Sequence, residues 1–329
     1  MPTTETPMRG LLLKLGLAGI PAYFAKKVLP SWWEDDVASD PAGLQQAQLY
    51  LAKAFNIDFR SLAQEGEAPR FRASARKYKL SKAVTEDVVA ASANYVTGIA
   101  RVALAALEGE QKQVPSDPAV LRDAILKKHE CVNLAGLLEW CRDAGIPVLH
   151  IDAVPGKKMT GLVVRDKGRY AIVLSKKGHP AHLLFHLAHE VGHIGKAHLK
   201  EDGFVADEKI DSDSADEDER EADKYGVCLL NGENARYGAK DGRQALNAEA
   251  LHLSAVSLGK KNRVDPGHII ANYGFNQDRF PVAALALKRL PGASQGGAVI
   301  NQFFFASLNR ELVSDDQLEL LRTATGIRA

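Results

Sequence analysis

The chain has few cysteines, no long apolar run and no excess of charge of either sign, and each shortage narrows the field. Its three cysteines, Cys131, Cys141 and Cys228, make neither an even disulfide set nor a paired metal motif. That usage fits a reducing compartment in which the thiols are buried and inert. Lys and Arg number 42 against 41 Asp and Glu, and the resulting net charge of +1 gives no global pull toward nucleic acid or an anionic membrane. The apolar stretch 10–20 is interrupted by Lys14 and followed by Pro21, Lys26 and Lys27. It is too short to span a bilayer and lacks a small-residue cleavage site, so it reads as an amphipathic core helix of a cytoplasmic protein. There is no internal repeat and no glycine-rich phosphate loop.

Residues 189–193 read His-Glu-Val-Gly-His. On a helix, His189 and His193 lie four apart on one face, so both imidazoles reach a single metal ion. Glu190 stands beside that ion and is placed to take a proton from water. Two neutral imidazoles, an adjacent base and an open position are what a zinc hydrolase requires. Pro180 suits the first turn of this helix. Leu183, Leu184, Leu187, Val191 and Ile194 provide an apolar side that can hold the ligands still. His182 and His186 share the ligand face but lie too far along the axis to join the same tetrahedron, and His198 is likewise read as a non-ligand.

The third ligand has to come from elsewhere. A histidine ten residues after the first would complete one zinc-protease pattern, but Leu199 holds that position and His198 falls one short. The other pattern takes a glutamate from a second helix. Glu219-Arg220-Glu221-Ala222-Asp223 offers Glu219 as ligand and, four residues on, Asp223 as acceptor for the second ring N–H of a ligand histidine, most simply His189. Glu217 and Glu221 compete for the ligand role, with Glu221 expected on the opposite side of the helix. The small Ala222 permits close helix packing.

The run Phe185–Ile194, taken with Glu219–Gly226, resembles the ImmA/IrrE-type metallopeptidases. The segments Gly145–Ile151 and Val264–Ile270 extend the resemblance over about 115–275. It implies one zinc ion per chain and endopeptidase activity. It also implies a protein substrate, such as a helix-turn-helix transcriptional repressor or a toxin–antitoxin partner, without direct nucleic-acid or membrane contact. An antitoxin-like or repressor-binding module with little catalysis is the alternative. Tyr225, His252 and His268 are candidate oxyanion donors. The chain departs from the family in its acidic stretch between the two ligand helices.

The expected organisation is an N-terminal helical region (1–112), a catalytic domain (113–290) and a C-terminal helical tail (291–329). The fold class is α+β, because strands near 148–151, 160–165 and 170–175, with a turn at Asp166-Lys167-Gly168, imply a small antiparallel sheet ahead of the ligand helices. Helices are expected near 41–55, 83–108 and 117–144, and Ser314–Gln317 spells a capping box. The basic run 70–79 is read as a solvated face with Phe71 and Tyr78 packed inward rather than as a phosphate grip. The acidic stretch 201–219 does not match a calcium loop and is expected as a solvated excursion, or as a flap steering a basic substrate toward the metal. The unit around Lys260–Gly267 is expected to be structural, lining the cleft.

Overall fold

A computed structural model describes residues 6–64, 66–72, 74–79, 85–207, 216–233, 236–238, 246–291 and 296–327. The first helices are α1 (Pro7–Leu17), α2 (Ala22–Val28), α3 (Pro41–Ala54), α4 (Phe59–Ala63) and α5 (Glu86–Ala105). They are followed by α6 (Pro118–Leu126), α7 (Leu134–Asp143), α8 (Pro180–Gly195) and α9 (Glu217–Asn231). The chain closes with α10 (Ala248–Asn262), α11 (Pro266–Asn276), α12 (Phe280–Leu287), α13 (Gly296–Ser307) and α14 (Asp315–Thr325). Five strands, β1 (Ala75–Lys79), β2 (Val148–His150), β3 (Gly161–Asp166), β4 (Arg169–Leu174) and β5 (Gly203–Asp207), form one sheet in the order β1-β5-β3-β4-β2. The class is α+β with a small sheet.

The β3–β4 hairpin is antiparallel and turns through Lys167 and Gly168, both left-handed, as a two-residue hairpin turn demands. β5 adds antiparallel to β3, whereas β1 and β2 join in parallel at the two edges. The sheet is therefore mixed rather than purely antiparallel. Parallel pairing is possible here because β1 and β5 are separated by a long crossover through α5 to α8, and β2 and β4 by the segment 151–160 and β3.

Three expectations change. The N-terminal stretch is not all helical, because its basic run supplies β1. Phe71 and Tyr78 do pack against the core, but Lys77 and Lys79 reach across to Asp218 and Asp216 at the start of α9. The acidic stretch is not wholly a solvated excursion either. Its first part is β5, buried from end to end between β1 and β3; residues 208–215 lie outside the described set. The expected helix over 117–144 is two helices, the second started by an Asn133 cap on the Gly136 N–H.

Both faces of the sheet are covered. Side chains alternate along a strand, so Leu162, Val164, Phe204 and Ala206 face α5, the N-terminal helices and α14. Val163, Ile172, Leu174 and Val205 face α7, α8, α9 and α13. Continuous cores thus cross the positions 112 and 290. At the β2 edge, the Asn301 side chain of α13 bonds both the N–H and the carbonyl of His150, satisfying groups that an open edge would expose. A third cluster joins α10, α11 and α12 to Ala181 of α8.

Candidate metal centre

α8 begins with Pro180 in its first turn, and the His179 side chain accepts from the Ala181 N–H. Its apolar side is buried on the sheet, which turns His189, Glu190 and His193 into the interior between the sheet and α9. α9 runs close against it because small residues line the contact. A Cβ on Gly192 would crowd the Ala222 backbone, and one on Gly226 would crowd the His189 backbone. Asp216 caps the start of α9, and the acidic first turn suits the helix dipole. This places Glu219 inward at 3% exposure and leaves Glu217 at the surface.

The site also contains a residue absent from the sequence reading. Val205 and Asp207 share the sheet face that looks at α8, and Asp207 ends β5 with its carboxylate between the two imidazoles. Its Oδ2 lies 3.5 Å from His189 Nε2 and 3.4 Å from His193 Nε2. Glu219 Oε2 is 3.5 Å from His189 Nε2, and its Oε1 is 3.4 Å from His193 Nε2. The two Nε2 atoms are 3.1 Å apart. Ligands about 2.0–2.1 Å from a tetrahedral ion lie roughly 3.3–3.4 Å from each other. The five separations bracket that edge. His189, His193, Asp207 and Glu219 therefore form a buried group that can hold a metal ion.

The electrostatics point the same way. Both oxygens of Asp207 and both of Glu219 are buried without a hydrogen-bond donor. Such atoms are costly unless a cation or proton satisfies them. Burial works against a charged His189, but Asp207, Asp223 and Glu219 outweigh it and hold its pKa well above the ordinary value. Burial likewise works against a charged Asp207, yet His193 and His189 keep its carboxyl far below the usual carboxylate range. A cluster this rich in carboxylate and imidazole suits a divalent ion with nitrogen and oxygen ligands, zinc among them.

Glu190 is fully buried, and neither of its oxygens has a donor. Burial raises its pKa well above normal, and the neighbouring Asp207 and Glu219 charges raise it further. Space for this carboxyl comes from Gly161, paired with Asp207 across β3 and β5, where any Cβ would overlap it.

Around the ligands, Asp223 Oδ1 stands 3.6 Å from His189 Nδ1, on the side away from the cluster. The corresponding atom of His193 meets a different partner, because His193 Nδ1 and His198 Nδ1 are 2.8 Å apart. His198 Nε2 in turn lies 3.1 Å from Glu221 Oε2. If His193 binds through Nε2, its Nδ1–H donates to His198, whose own Nε2–H donates to Glu221. Glu221, expected on the opposite side of the helix with little effect, thus sits behind the second histidine through His198. Among the oxyanion candidates, Tyr225 donates its hydroxyl to the Pro115 carbonyl at 2.8 Å. His252 sits on α10 outside the neighbouring cavity. His268 is buried against Phe185, lines that cavity, and has its pKa pushed down to about 4 by burial and by Arg122.

The cavity, about 820 Å³, is lined by α8, α9, α11 and α12 and comes up to His186 and Asp223 beside the centre, while the four cluster residues and Glu190 stay buried behind its wall. Its walls include Phe185, Phe275, Phe280 and Leu287. Around it stand Arg220, Lys224, Arg236 and Lys288, none in an ion pair among the described residues, against the single carboxylate of Asp223.

Comparisons with family profiles, with curated proteins and with solved structures gave no match.

Proposed function

We propose that the protein is a zinc-dependent endopeptidase of the ImmA/IrrE type, acting in the cytoplasm on a protein such as a helix-turn-helix repressor. The observation that carries this reading is Glu190, an unpartnered carboxyl held beside two imidazoles and a glutamate. A metal held only for structure has no need of a base beside it.

His189, His193 and Glu219 hold the ion, and Asp223 and His198 fix the ring orientations. When bound, zinc supplies a Lewis acid that polarises the scissile carbonyl and makes water acidic enough to be deprotonated near neutral pH. Glu190 takes that proton as the water attacks and returns it to the leaving amine. The cavity beside His186 supports a substrate segment with a bulky apolar side chain and acidic neighbours, since its apolar walls are ringed by cations that make no ion pair among the described residues. His268 is the oxyanion candidate nearest that path.

One observation favours the alternative of a partner-binding module with little catalysis. Structural zinc sites are closed by four protein ligands, whereas catalytic ones keep a position open, and Asp207 stands at the fourth corner. The two readings separate with Glu190→Gln. In the peptidase reading this variant keeps its metal and fold but stops cleaving a repressor substrate followed on a gel. Equal cleavage by wild type and Glu190→Gln rejects Glu190 as the base, and tight binding with no cleavage by either protein favours the module.

A further inference from the structure

We propose that Asp207 is the fourth ligand of the metal and occupies the corner that the hydrolytic water must take, so that the folded protein is latent until this carboxylate withdraws. The proposal rests on the peptidase reading for its consequence but on geometry for its premise. Asp207 Oδ2 approaches both ligand nitrogens to 3.4–3.5 Å, the same separations that Glu219 makes. The residue has 0% exposure, and its carboxylate faces the two imidazole nitrogens without a hydrogen bond, where a cation at the centre of the cluster satisfies it.

Its place relative to the base defines the consequence. An attacking water has to touch the ion and the general base together. The Glu190 carboxyl lies against the Gly161 backbone, and Asp207 is the residue directly across the β3–β5 pairing from Gly161, so base and carboxylate are neighbours. As a fourth ligand, Asp207 takes the corner beside the base. Coordination by Asp207 and coordination by water exclude each other in a tetrahedral site.

The fold also allows release without unfolding. Asp207 is the last residue of β5; its backbone stays in register with Gly161 and Lys79 and its carbonyl accepts from the Thr160 N–H, so release needs only a turn of its side chain about χ1 with the strand pairing kept. Movement of this one side chain opens the corner while His189, His193 and Glu219, on the two helices, keep the ion. β1 is the outer neighbour of β5, and its lysines tie the start of α9.

The test uses the full-length protein loaded with Co²⁺ in place of zinc, with acetohydroxamate as a probe for an open coordination position and the visible cobalt bands as readout. Wild type is expected to show no spectral change with hydroxamate. Asp207→Ala and the near-isosteric Asp207→Asn are expected to keep about one metal per chain and to shift their bands on adding it. Circular dichroism checks the fold of each variant. An equal shift in wild type overturns the proposal, because the corner is then already open. Loss of the metal from well-folded Asp207→Asn and Asp207→Ala also overturns it, since Asp207 is then indispensable to the site rather than a releasable ligand. Peptide cleavage is read separately. Faster cleavage by the Asp207 variants supports latency, while a hydroxamate shift without any cleavage leaves Asp207 as the displaceable ligand and removes the peptidase reading instead.

Discussion

Gly161 and His198 show how single residues govern the centre without touching a metal. A side chain at position 161 has no room, because its Cβ falls on the Glu190 carboxyl. Gly161→Ala is expected to displace Glu190 and abolish cleavage while the metal content stays near that of wild type, with a stability cost of about 1–3 kcal/mol from overpacking. Full activity in that variant contradicts the assigned place of Glu190. His198 and Asp223 each orient one ligand ring, so His198→Ala and Asp223→Ala should each weaken metal affinity about 10- to 100-fold in a chelator competition. Glu221→Ala should cost less, because its carboxylate is half-exposed and acts through His198. An unchanged affinity in His198→Ala argues against the chain from His193 to Glu221.

At the scale of elements, the position of α9 decides whether Glu219 reaches the imidazoles, and both ends of this helix are tied. Arg122 is buried and donates to the carbonyls of Leu229 and Leu230 at its C-terminal end and to those of Asn262 and Arg263 at the C-terminal end of α10. Arg122→Met should leave buried carbonyls without donors, lower stability by at least about 2 kcal/mol in a denaturant titration, and loosen the metal with it. A variant as stable as wild type, with the metal held equally well, removes the clamp from the account. At the other end, the lysines of β1 meet Asp216 and Asp218.

The elements differ in how far the sequence reveals them. α8 is legible because two histidines four apart, a proline at the start and a leucine stripe all report one helical period. The β3–β4 hairpin is legible from its two apolar runs and its Asp-Lys-Gly turn. β5 is hidden because Phe204, Val205 and Ala206 sit inside a run of acids, and the burial of Asp207 depends on two imidazoles contributed by α8. The alternation of Gly203, Val205 and Asp207 is the one local trace of its direction. β1 is hidden because its lysines read as a solvated face until α9 supplies their carboxylates. Glu219 and Asp223 could be picked from their spacing, but Glu221 could not, since its role depends on where the loop after α8 leaves His198.

Across the whole molecule, α6, α7, α11 and α13 pack around the α8–α9 pair on one face of the sheet, and α5 is buried on the other. Among the described residues it is the one helix long and apolar enough to cross a membrane, yet most of its residues face the core. The buried histidines make the global stability depend on pH. His268 has its folded pKa pushed down to about 4 by burial first and Arg122 second, against an ordinary value of about 6.5. Protonation therefore favours the unfolded chain. The contribution is fully present above about pH 6.5 and is lost as pH falls toward about 4, an order of 3 kcal/mol. Thermal unfolding between these limits should show a shallower pH dependence in His268→Asn than in wild type; identical slopes count against a neutral, buried His268.

The central claim is that one metal ion is held among α8, α9 and the end of β5. Elemental analysis of the purified protein tests it most directly, run beside His193→Ala with circular dichroism as the folding control. About one zinc per wild-type chain is expected, with a large loss of it in the folded variant. Wild-type protein that takes up no divalent metal even when zinc is supplied, or a His193→Ala variant that retains a full complement, contradicts it.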